Sequence, residues 1–127
     1  MTLPLGELAY LYVGTAGFER DLAWYRDVLG AEVVWSFEAF GAKVAALRLA
    51  KGPLYLLADH RHAPSVLPVF GVPDLDATEK ALRARGWTPE GPRFGIPDGP
   101  CYLFRDPSGN ELALFGNERP HVLERET

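Results

Sequence analysis

Apolar residues recur along this chain in two alternating rhythms. Leu8 to Val13 is rich in aliphatic, aromatic and β-branched residues and stops at Gly14, a strand signal. From about Ala16 the period changes: Phe18, Leu22, Tyr25 and Leu29 follow helical spacing, with Trp24 and Val28 widening the stripe. Thr15 is the candidate N-cap, and Gly30 stands where a left-handed C-terminal cap belongs. Three extended segments come next, Glu32 to Phe37, Lys43 to Ala50 and Leu54 to Asp59, separated by Gly41 and by Gly52-Pro53. The first half therefore predicts βαβββ.

The same order then repeats. Val66 to Val72 is another short apolar run and leads into Asp74, a good N-cap. Leu75, Thr78 and Leu82 carry the buried face of a second helix that Gly86 closes. Trp87 to Arg93, Cys101 to Phe104 and Glu111 to Phe115 are the three strand candidates that follow. The stretch between Arg93 and Pro100, with two prolines and two glycines, predicts a mobile loop and no regular strand. Asp106-Pro107-Ser108-Gly109-Asn110 predicts a tight hairpin turn, with Gly109 or Asn110 in the left-handed conformation. The spacing of strand ends Val13 and Val72, and of Gly30 and Gly86, implies two modules of roughly 55 to 60 residues. They cover about residues 5–60 and 65–116 of one domain, 1–116, and a polar tail occupies 117–127.

Composition narrows the classes. The chain has 127 residues, 47% of them apolar, enough for one substantial core. A net charge of -4 would repel a phosphate backbone, so nucleic acid is not an expected partner. No apolar run is long enough to span a bilayer, and the N-terminus lacks a signal-peptide pattern, so the expected location is cytoplasmic with no membrane partner. Cys101 is the only cysteine, which excludes an intrachain disulfide. No phosphate loop or nucleophile elbow is present.

Two stretches on this doubled pattern carry a family likeness. Trp24-Tyr25-Arg26-Asp27-Val28-Leu29-Gly30 resembles the first-helix signature, and Phe104-Arg105-Asp106-Pro107-Ser108-Gly109-Asn110 the closing hairpin, of the vicinal-oxygen-chelate superfamily of glyoxalases, bleomycin-resistance proteins and extradiol dioxygenases. The resemblance spans about residues 5 to 116. It implies an α+β fold in which two tandem βαβββ modules form curled half-barrel sheets around a cavity, and a homodimer. Metal-dependent members draw a His from the first strand and a Glu from the last strand of each module. Carried onto this chain, those positions fall on Leu8, Leu67, Ala113 and either Tyr55 or Leu56. None can supply a carboxylate or an imidazole, so no metal or other cofactor is expected.

If Leu8 faces the cavity, strand alternation turns Tyr10 and Tyr12 the same way and packs Ala9, Leu11 and Val13 against the helix. Leu67, Val69 and Gly71 would line the second module, with Gly71 leaving space, beside Glu111, Ala113 and Phe115. Tyr10, Tyr12, Arg48, Tyr55, Tyr102 and Glu111 are the candidate ligand-binding residues, phenols and ions placed to orient an apolar or aromatic molecule. Trp35, Phe37 and Phe40 form an aromatic cluster near the first module's rim, suited to packing, dimer contact or ligand contact. Two functions compete: a metal-free protein binding a small apolar or aromatic molecule in an interior or dimer-interface cavity, and a metal-dependent isomerase, lyase or dioxygenase with nonstandard ligands. The second would draw on Asp59, His60, His62 or Glu111, although Asp59 to His62 also reads as a solvated connection. A third reading is metal-free acid-base catalysis by Glu111 or a cavity tyrosine.

Overall fold

The computed structural model describes residues 3–118. Its elements run β1 (Glu7–Gly14), α1 (Phe18–Asp27), β2 (Glu32–Ala39), β3 (Ala42–Arg48) and β4 (Leu54–Ala58), then β5 (Val66–Val72), α2 (Leu75–Arg83), β6 (Phe94–Ile96), β7 (Gly99–Arg105) and β8 (Glu111–Gly116). This is an α+β fold of two tandem βαβββ modules. The described residues form two compact units, Ala9–Leu67 and the remainder, up to Leu8 and from Pro68 onward.

In the N-terminal unit the strands lie in the order β2-β3-β4-β1. β1 runs parallel to β4, while β2, β3 and β4 are antiparallel neighbours. Such a parallel pair needs a crossover, which α1 and the two intervening strands supply. Ala31, Ala45, Leu47 and Leu57 form the buried core on the helix side, packed by Phe18, Leu22 and Tyr25 of the helix and by Val13 and Tyr55 of the sheet. The helix begins later than its apolar pattern predicts. Its N-cap is Gly17, and the Thr15 hydroxyl accepts the Gly17 N–H at 3.1 Å and donates to Asp21 at 2.5 Å, tightening the approach without capping the helix. The predicted stripe is also too wide: Trp24, Val28 and Leu29 are exposed, so only Phe18, Leu22 and Tyr25 face the sheet.

The C-terminal unit repeats the order as β5-β8-β7-β6, again with its first strand parallel to its last. Its core is larger: Val72, Leu75, Leu82, Tyr102, Phe104 and Leu114, with Leu5, Phe70, Trp87 and Leu112 packed around them. The Asp74 carboxylate accepts the Ala77 N–H at 3.1 Å and caps α2 as expected. Both helices end on a left-handed glycine, Gly30 at φ 72° and Gly86 at φ 96°, a conformation that a Cβ would penalise. Across those glycines the Ala31 N–H reaches the Tyr25 carbonyl and the Trp87 N–H the Leu82 carbonyl, each at 3.0 Å.

The third strand of this unit is not where the apolar pattern places it. Residues 87–93 form no strand, because Pro89 and Pro92 remove donors that a ladder would use. The strand is Phe94–Ile96, inside the stretch expected to be a loop, where Phe94 pairs with Cys101 and Ile96 with Gly99. Pro97 falls in the turn between β6 and β7, so its missing donor costs no ladder bond. The β7–β8 turn matches its expected chemistry: the Asp106 carboxylate accepts the Ser108 and Asn110 N–H groups and the Asn110 side-chain amide, and Gly109 takes φ 91°. These bonds, chiefly that from the Asn110 side chain, hold the Asp106 carboxyl below the usual carboxylate range. The expected tail from 117 onward lies outside the described residues except for Asn117 and Glu118.

Candidate functional site

Each sheet has one face against its helix and one turned away. In the N-terminal unit the register identifies the second face. Val13, Ala45 and Leu57 lie in the helix-side core, so their strand neighbours Tyr12, Ala46 and Leu56 point the other way. Cross-strand pairs then define two rows, Tyr12–Leu56–Ala46–Trp35 and Gly14–Ala58–Val44–Phe37, with Tyr10 opposite Leu54 beyond them. Trp35 and Phe37 stack at 5.4 Å with their rings 18° apart. Trp35, Leu56 and Ala46 are buried, Tyr10 and Tyr12 half-buried, and Phe37 exposed. Phe40 is fully exposed, at φ 54° in the two-residue turn between β2 and β3, and packs with neither ring of that stack.

The equivalent face of the C-terminal unit carries Val69–Ala113–Leu103 and Gly71–Phe115–Cys101–Phe94. Gly71 does not leave room here. A Cβ at that position would stand 2.8 Å from Phe115 Cζ, so the phenyl ring fills the space that the missing side chain vacates. Burial pushes the Cys101 thiol up to about 11, which leaves it a protonated, unreactive strand residue at neutral pH.

The six candidate ligand-binding residues therefore separate. Tyr10 and Tyr12 stand on the face away from α1, and the Tyr12 ring meets His60 edge-on at 6.1 Å. Arg48 is exposed at the end of β3, opposite Glu32. Glu111 begins β8 on the Ala113 side and pairs with Arg105 at 3.5 Å. Two placements need correction, because Tyr55 and Tyr102 point to the helix side. Tyr55 packs in the α1 core with its ring 6.0 Å from Tyr25. Tyr102 belongs to the α2 core: its hydroxyl donates to Glu79 at 2.9 Å and accepts from Arg93 Nε at 3.3 Å, and the Arg93 guanidinium lies over its ring. Sequence reasoning assigned these two by their phenol, which suits a ligand face and a half-polar helix face equally. What it left unassigned is the row that joins Trp35 and Leu56 to Tyr12, visible only once cross-strand register is known.

The metal positions can be tested on the same faces. Between Tyr55 and Leu56, the residue turned from the helix is Leu56, so the positions that the resemblance implies are Leu8, Leu56, Leu67 and Ala113. A hydrocarbon set offers no lone pair to a divalent ion. Among the described residues, no three His, Cys, Asp or Glu side chains converge on a point. Asp59, His60 and His62 are exposed, and the Asp59 carboxylate accepts the Lys43 N–H at 2.8 Å. These residues do not fit a metal centre of the kind the family resemblance implies.

Residues 8–114 match the family model described as the Glyoxalase/Bleomycin resistance protein/Dioxygenase superfamily. No curated protein gives a significant match. Among solved structures, a methylmalonyl-CoA epimerase from Mycobacterium tuberculosis is similar with a TM-score of 0.75 at 18% identity, over 91% of each chain. A Streptomyces coelicolor methylmalonyl-CoA epimerase variant in complex with 2-nitronate-propionyl-CoA has a TM-score of 0.66 at 18% identity, over 86% of this chain and 92% of that one. A hypothetical protein from Bacillus halodurans has a TM-score of 0.71 at 11% identity, over 84% and 91%.

Proposed function

The chain belongs to the Glyoxalase/Bleomycin resistance protein/Dioxygenase superfamily, and on that footing we propose that it is a metal-independent member binding a small apolar or aromatic molecule. The observation that carries this reading is the face of the N-terminal sheet turned from α1. There Tyr10, Tyr12, Leu54, Leu56, Ala46, Trp35 and Phe37 present aromatic and aliphatic surface where a chelating member would present ligands. Stacking and area burial on such a surface supply affinity, and the Tyr10 and Tyr12 hydroxyls supply orientation. Arg48 and Glu111 are further candidates for orienting polar groups. The low identity to the epimerases means that their likeness supports the fold and leaves the substrate to experiment.

A cytoplasmic homodimer without nucleic-acid or membrane partners completes the proposal. Among the described residues no helix is long and apolar enough to cross a membrane, and the acidic balance disfavours polyanions.

The test is a titration of the isotope-labelled protein with 2-naphthol in the presence of a chelator, followed by amide chemical shifts. Saturable shifts centred on Tyr10, Tyr12, Trp35 and Leu56 are expected, together with weakening of about tenfold in Tyr12→Ala, the loss of one good aromatic contact. Turnover of a carbonyl, thioester or catechol compound that stops with chelator and returns with metal would instead establish the competing reading, a metal-dependent isomerase, lyase or dioxygenase.

A further inference from the structure

The C-terminal unit has a pocket of about 290 Å³ lined by Gly6, Glu7, Gly71, Val72, Pro73 and Asn117. We infer that it is a separate binding site for a small organic cation that carries N–H donors, such as a primary alkylammonium. Its construction begins with Gly6, at φ 69°, where a Cβ would lie 2.4 Å from the Gly71 carbonyl oxygen and 3.1 Å from Val72 Cγ1. Bare backbone at this position lets the chain before β1 lie directly against the end of β5. Asn117 is held to the same strand end by its main-chain N–H, which donates to the Val72 carbonyl at 2.8 Å.

The Asn117 side-chain oxygen is buried and accepts no hydrogen bond. A buried acceptor left without a donor costs about 1 to 3 kcal/mol, so a donor belongs beside it. The other side-chain polar group of the pocket is the Glu7 carboxylate, also an acceptor only when ionised. Two acceptors, one of them anionic, select a donor cation and reject anions. Val72 and Pro73 add an apolar wall that suits a short alkyl chain. The volume is many times the ~30 Å³ that one water occupies and near the lower end of small-ligand sites, which sets the ligand at a few heavy atoms. Of these residues only Gly71 lies in a row described above, and it is not among the N-terminal-unit residues that carry the proposed function, so this site stands or falls independently of that reading.

The experiment titrates the full chain with n-butylammonium chloride and, at matched ionic strength, with tetramethylammonium chloride, which has the charge but no N–H. Butylammonium is expected to produce saturable shifts in the amides of Gly6, Glu7, Gly71 and Asn117 and in the Asn117 side-chain amide, with tetramethylammonium producing none. Glu7→Gln, at an exposed position, should weaken binding about tenfold, the worth of one charge-assisted bond, and Asn117→Ala should do likewise. Equal, non-saturating responses to both cations would overturn the inference, as would undiminished binding by a folded Glu7→Gln variant.

Discussion

The two modules share one strand order yet hold their helices by different means. α2 buries Leu75 and Leu82, has a side-chain N-cap in Asp74, and sits beneath a network in which Glu79 receives Tyr102, Arg83 and Arg93. α1 has no fully buried residue, starts on Gly17 without a side-chain cap, and leaves Trp24 half exposed. Topology is thus satisfied by any helix that covers one face of its sheet, while the strength of the attachment depends on how many polar and apolar anchors the helix brings.

Deleting matched core residues should give the largest contrast. Leu57 and Leu114 are both fully buried on the helix sides of their sheets. Leu114→Ala should cost about 4 kcal/mol in urea unfolding and Leu57→Ala about 2 to 3, since the aromatic-lined C-terminal core has less freedom to collapse than one bordered by Ala31 and Ala45. The reverse order would break the comparison. Next in size, Tyr102→Phe should lose about 1 to 2 kcal/mol by removing the hydroxyl's bonds to Glu79 and Arg93, whereas Tyr55→Phe, whose ring packs on Tyr25, should lose less than about 0.5 kcal/mol.

Capping and titration sharpen the same contrast. Asp74→Ala should cost about 1 kcal/mol, and Gly17→Ser should stabilise α1 by a few tenths, its new Cβ displacing only the flexible end of Arg20. Arg83 first, then Tyr102 and Arg93, hold the Glu79 carboxyl below the usual range. A depressed folded pKa contributes stability that is fully present above the unfolded carboxylate pKa of about 4.3 and is lost as pH falls through the folded value. Glu79→Gln should therefore flatten the acid limb of a stability profile below about pH 4, a change read by thermal unfolding across pH.

Much of this architecture was legible because it rests on local chemistry. Gly30, Gly86, Asp74 and the Asp106–Asn110 turn each announce a backbone conformation that few other residues serve. The start of α1 was misread since Thr15 and Gly17 both suit a helix entrance, and only the hydroxyl's bond to Asp21 separates their roles. The third strand of the second module was misplaced because Trp87 to Arg93 has strand-like residues interrupted by Pro89 and Pro92, while Phe94–Ile96 is only three residues long and exists through pairing with β7. For the candidate site, alternation along β1 gave the phase of Tyr10 and Tyr12. β4 and β7 offered no such guide: apolar residues on both faces of Leu54–Ala58 and Gly99–Arg105 hide the phase that turned Tyr55 and Tyr102 toward the helices. The Asn117 pocket depends on chain segments far apart in sequence and carries no motif.

We propose that the protein works without a bound metal, the positions that the family resemblance marks for ligands being hydrocarbon. Elemental analysis of gently purified protein, repeated after incubation with iron, manganese, nickel and zinc and removal of the excess, tests it most directly. The account predicts well under one equivalent of any of them retained, with 2-naphthol binding unchanged by chelator. One equivalent held against dilution, and released by substitution of His60 or His62, would contradict it.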